Sequence, residues 1–94
     1  MTYGISDAYD ALLNEICGEM GFCGDFRDGK VQHVDNYIPQ QGKVTADDFV
    51  KWVLLAEGMD AEEDAAKQCA PRIREAFVQY MGAEVVNVES FGLS

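Results

Sequence analysis

Basic residues are scarce. Seven Lys and Arg stand against seventeen Asp and Glu, for a formal net charge of −10. A surface of that sign repels phosphate backbones and anionic lipid, which disfavours nucleic-acid and membrane-surface binding. It favours solubility, and any charged partner is expected to be a basic protein. No run approaches the roughly 20 apolar residues that a bilayer-crossing helix needs. The first residues, Met1 to Asp7, lack the positive stretch and apolar run of a signal peptide. Cysteine is limited to Cys17, Cys23 and Cys69, an odd number without the spacing of a disulfide scaffold. Reduced thiols and a cytoplasmic location are the expectation. No G-x-G-x-x-G order occurs among the glycines, so a phosphate-cradling loop is not indicated.

What is present is ordinary globular material. Ninety-four residues, 48% of them hydrophobic, suit one domain (1–94) with a modest core rather than a disordered chain. The stretch Val44 to Met59 organises it. Thr45 is placed to cap a helix, with Asp48 three residues on and Asp47 and Asp48 at the positive end of the helix dipole. Val44 and Phe49 hold the hydrophobic-staple positions. Gly58 and Met59 carry the pattern of a Schellman closure onto Leu54. Between these ends Phe49, Val50, Trp52, Val53, Leu54, Leu55 and Ala56 point most of the way round, as in a core helix.

Upstream, Ser6 reads as an N-cap, and Tyr9, Leu12, Leu13, Ile16 and Met20 recur at helical spacing up to Gly21. Residues 22–35 read as a hairpin turning at Asp28-Gly29, which sets Phe26 opposite Val31 and Gly24 opposite His33. Downstream, Asp60 with Glu63 has the form of a capping box. Pro71 predicts either a kink or, as the favoured reading, a break between a helix ending near Cys69 and another ending at Gly82. Residues 84–89 are β-branched and read as a third strand joining the hairpin, with fraying beyond them. The expected fold class is α+β: a predominantly helical small single domain, helices near 6–20, 45–57, 61–69 and 71–82, a β-hairpin and a C-terminal strand. Trp52, Phe49, Val53, Leu12, Ile16, Ile73 and Phe77 are the expected core. No internal repeat is legible.

Four constellations bear on chemistry. Cys17, Cys23, His33 and Cys69 are a zinc-type donor set, but without the close C-x₂-C pairs of structural sites. Adjacent carboxylates sit where helix starts welcome charge, and His33 and Cys23 point to opposite faces in the hairpin register, so no catalytic set and no cofactor are indicated. Glu57, Asp60, Glu62, Glu63 and Asp64 gather after the central helix, where a basic partner would read them. Finally, residues 42–50 resemble the exit of an EF-hand loop: Gly42 at the turn, Val44 at the apolar pairing position, Asp48 at the last ligand position. The resemblance implies ligand positions at Tyr37, Pro39 and Gln41, which lack the carboxylates calcium requires.

The arrangement Gly21-Phe22-Cys23-Gly24, Asp28-Gly29-Lys30, His33-Val34-Asp35, Ile38-Pro39 and Val44-Thr45-Ala46-Asp47 resembles short bacterial proteins of uncharacterised function, which implies a bacterial source and no particular activity. The function expected is a non-enzymatic acidic binding or regulatory domain. The alternatives are a small Cys/His metal-binding protein and an immunity-type inhibitor of a basic toxin or nuclease. Oligomeric state is not encoded in any of these features.

Overall fold

The computed structural model describes residues 6–19, 25–27, 30–32, 34, 37–60 and 62–92. Helix α1 spans Asp7–Asn14 and widens into a π turn at Glu15–Glu19. Gly18, a poor helix former, lies in that turn. The cap forms as expected, the Ser6 hydroxyl accepting from the Tyr9 N–H at 3.2 Å. Tyr9, Leu12 and Ile16 face the core. Strands β1 (Asp25–Arg27) and β2 (Lys30–Gln32) pair antiparallel with Phe26 opposite Val31. That is the register expected of a two-residue turn; Asp28-Gly29, Gly24 and His33, like Met20 and Gly21, lie outside the described residues.

The central helix, α2 (Ala46–Ala56), begins and ends as its sequence specifies. The Asp48 N–H donates to the Thr45 hydroxyl at 3.0 Å. At the far end Gly58 takes a φ of +75°, the Met59 N–H donates to Leu54 carbonyl oxygen at 2.9 Å, and the Gly58 N–H to that of Leu55 at 3.0 Å. These are the two bonds of a Schellman closure. Phe49, Val50, Val53 and Leu54 are buried, whereas Trp52 is only half-buried against the core. The expectation of a core tryptophan is corrected. Successive helical residues point 100° apart, and the face holding Phe49 and Val53 takes the interior.

Helix α3 is continuous from Asp64 to Met81, with Pro71 inside it. The expected break does not occur. Ala66, Ile73, Ala76 and Phe77 are buried on both sides of Pro71, so packing holds one axis through the lost hydrogen bond. Pro71 is exposed, and so is Lys67, whose carbonyl loses its donor and is left within reach of water. The capping box is also corrected. Glu63, not Asp60, occupies the cap position and makes no side-chain cap bond. Asp60 instead closes a turn, its carboxylate accepting from the Glu62 N–H at 3.0 Å.

Residues 84–89 are not a third strand on the hairpin. Strand β4 covers Val85–Asn87 and pairs antiparallel with β3 (Lys43–Thr45), Val86 opposite Val44. The short link after Gly82 returns the chain beside the start of α2, which decides the partner. The Ala46 N–H donates to the Glu84 carbonyl at 2.7 Å, and the Val88 N–H to the Gly42 carbonyl at 2.9 Å. These bonds are images of one another about the Val44–Val86 pair. Each strand runs directly into a helical turn, and each valine is followed five residues later by a buried phenylalanine, Phe49 and Phe91. Their rings stack at 6.3 Å and 14°. A local two-fold repeat therefore relates Val44-Thr45-Ala46-Asp47-Asp48-Phe49 to Val86-Asn87-Val88-Glu89-Ser90-Phe91. It escapes a sequence reading because so few positions share a residue.

The expected fraying after residue 89 is absent up to Gly92. Phe91, in the 3₁₀ turn Val88–Phe91, is 0% exposed. The buried residues are all apolar among those described. Phe91→Ala is expected to lower stability by about 3–5 kcal/mol, the cost of truncating a buried aromatic. Pro71→Ala should raise it by roughly 1–3 kcal/mol, because it restores an interior helix bond. Urea denaturation with an unchanged slope checks both; a destabilised Pro71→Ala protein would contradict the packing account of α3.

Candidate functional site

The acidic segment proposed from the sequence lies at the α2–α3 junction. Asp60, Glu62, Glu63 and Asp64 are exposed, and Glu57 is half-buried at the end of α2. Their positions follow from local bonds. The Schellman closure fixes where the chain leaves α2. The Asp60 turn, reinforced by the Glu63 N–H donating to the Asp60 carbonyl at 2.9 Å, sets the start of α3. Two cations adjoin the segment: Lys51 shares a surface slot with Asp60, and Lys67 Nζ stands 3.9 Å from Glu62 with both side chains largely in solvent. Such a pair contributes little and leaves the local charge negative.

Beside these carboxylates lies an open slot of about 290 Å³ lined by Lys51, Leu54, Leu55, Met59 and Asp60. Leu55 is 39% exposed, one of two large apolar side chains so open among the described residues. Helical geometry explains it: Leu54 takes the inward direction, and its neighbour Leu55 is turned 100° away. Sequence reasoning found the carboxylates but not the slot. The signal was the apolar residue left over once one face of α2 had been assigned to the core.

A second, larger groove of about 580 Å³ runs along α3, lined by Pro71, Arg74, Glu75, Val78, Gln79 and Glu84. Arg74 ties three elements together. Its Nε donates to Asp47 at the start of α2 at 3.1 Å, and a terminal nitrogen donates to Glu84 just before β4. The hydrogen bond it donates to Glu84, then that to Asp47, holds the guanidinium above its ordinary pKa. Arg74 remains a fixed cation neutralised by two carboxylates. No spacing in the sequence announces this triad.

Of the zinc-type set, only Cys17 and Cys69 lie among the described residues. Cys17 is disulfide-bonded, so its sulfur is not a free thiolate. Cys69 is a free, half-buried thiol on α3. Cys23 and His33 lie outside the described residues. The expectation of reduced thiols does not hold for Cys17. Disulfide formation depends on the through-space approach of two side chains, which a residue count does not reveal. Among the described residues no group of three or more metal-ligating side chains occurs. None of their helices is long and apolar enough to cross a membrane.

In the segment compared with an EF-hand exit, Gly42 takes a φ of +103° and Val44 pairs with Val86. Asp47 bonds Arg74, and the Asp48 side chain is exposed. Compared with family models, with curated proteins and with solved structures, the chain matches none of them.

The disulfide gives a direct expectation. Thiol titration of the denatured, unreduced protein should count fewer than three thiols per chain, Cys69 among them, and three after reduction. Three thiols before reduction would rule out the disulfide at Cys17.

Proposed function

We propose that this chain is a non-catalytic protein-binding module, and that the α2–α3 junction docks a basic segment of its partner. The observation that carries the reading is the apolar slot at Leu54, Leu55 and Met59 set beside Asp60, Glu62, Glu63 and Asp64. Lys51 also lines the slot, but the carboxylates outnumber it, and an apolar anchor beside charge mostly of one sign is a common form of recognition site: the anchor contributes affinity, and the charge selects the partner and speeds encounter. The slot's volume suits one large side chain. The partner is a basic amphipathic segment that offers one leucine-sized or aromatic residue. An immunity-type inhibitor of a basic enzyme is one specific form of this function.

The scaffold that goes with this reading is an EF-hand-like pair working without calcium. Its supports are the positive φ of Gly42, the Val44–Val86 pairing and the second valine–phenylalanine block at Val86 and Phe91. Tyr37, Pro39 and Gln41 stand where calcium needs carboxylates. The link between the two halves then serves as a binding edge rather than as part of an ion switch.

A fourteen-residue helical peptide of lysine and leucine is the probe, with the same peptide carrying serine for leucine as its control. Calorimetry should show saturable binding of the first alone, weakening with salt. Leu55→Ser and the pair Glu62→Lys, Glu63→Lys should each raise Kd at least about tenfold, a loss of ~1.4 kcal/mol. Equal affinity of both peptides, or of the variants and the parent, sinks the proposal.

A further inference from the structure

A second surface of different character lies on the opposite half of the repeat. In the β3–β4 pair, Val44 and Val86 turn their N–H and C=O groups toward one another, as do Gly42 with Val88 and Ala46 with Glu84. Antiparallel pairing alternates, so Val85 and Asn87 turn theirs away, along the outer edge of β4. Among the described residues no third strand lies on that edge. Val85 is 50% exposed, the most exposed large apolar residue among those described, and Asn87 is exposed with it. An open strand edge is a template for another strand.

The groove on α3 adjoins this edge at Glu84, the residue before β4. Its apolar patches are Pro71 and Val78; its charged groups are Glu75, Glu84 and Arg74. Arg74 is already taken by Asp47 and Glu84, and Glu75 and Glu89, the latter just past β4, outnumber Lys43, which stands opposite Asn87, so the approach is negative on balance. A second copy of this chain, with its charge of −10, is a poor occupant of such a surface.

We propose that the outer edge of β4 and the adjoining α3 groove take an extended basic segment of a partner protein. The segment adds a strand through hydrogen bonds to the main chain of Val85 and Asn87, and it seats one aliphatic side chain between Pro71 and Val78. Backbone bonds supply affinity that is indifferent to sequence, and the groove and the carboxylates supply selectivity. The site shares no lining residue with the junction slot, so it stands or falls independently of that reading.

The test is a ¹H–¹⁵N titration of the full chain with the capped peptide Lys-Val-Lys-Val-Lys-Val-Lys, and with the same peptide N-methylated at its valines. The amides of Val85 and Asn87 should shift saturably with the first peptide and stay still with the second. Val85→Lys and Gln79→Lys, both at exposed positions, should each weaken binding about tenfold, and the second keeps the test open if the first perturbs the fold. Three outcomes overturn the proposal: no saturable binding at about 1 mM, equal binding of the N-methylated peptide, or shifts confined to Leu54 to Asp60. The last of these would leave the junction reading standing.

Discussion

The burial of Phe91 is the constraint on which the rest of the structure depends. Its ring meets Tyr9 of α1 edge-on at 4.8 Å, stacks with Phe49 of α2 at 6.3 Å, and lies 6.3 Å from Phe77 of α3. One side chain from the C-terminal turn thus meets rings from all three helices at a single point. Edge-on and offset ring pairs add to the gain from removing that area from water. Main-chain bonds hold the ring in place: the Ser6 N–H donates to the Phe91 carbonyl at 2.9 Å, and the Ser6 hydroxyl to that of Ser90 at 2.6 Å. Ser6 therefore caps α1 and latches the end of the chain to its beginning.

That arrangement makes the surface features rigid consequences of the core. With Phe49 and Val53 committed to the aromatic cluster, α2 has no freedom to rotate, and Leu55 is held outward. With α2 closed at Gly58 and α3 fixed by Ile73 and Phe77, the acidic junction between them is short and positioned at both ends. The Arg74 triad spans the other side of the same contact, joining α3 to the start of α2 and to the strand pair. It lies in solvent, and its contribution is to geometry more than to stability. A binding site on a small domain gains from such support, because ordering a flexible surface on association would cost affinity.

Much of this was legible in the residues themselves. Ser6, Thr45, Gly58 and Gly82 mark helix ends, and each acts as its type and neighbours predict. The hairpin register followed from Asp28-Gly29, and most of the apolar stripe positions are buried. The acidic junction was also readable, since charge near a helix start needs no tertiary information. Pro71 was misleading because its local cost was weighed without the stripe that packs on either side of it. Cys17 was misleading because covalent pairing depends on approach through space.

The sequence by itself determined where α1 starts, where α2 starts and stops, and where α3 ends, because those caps and turns are settled by interactions within a few residues. It also determined the sign of the surface and the α+β class. The tertiary structure alone decided that β4 pairs with β3 rather than with the hairpin, and that Phe91 belongs to the core and Trp52 to its margin. It alone gathered Asp47, Arg74 and Glu84, residues distant in the chain. Those outcomes depend on which surfaces are left uncovered once the helices pack, a property of the assembled fold that no local window of residues contains.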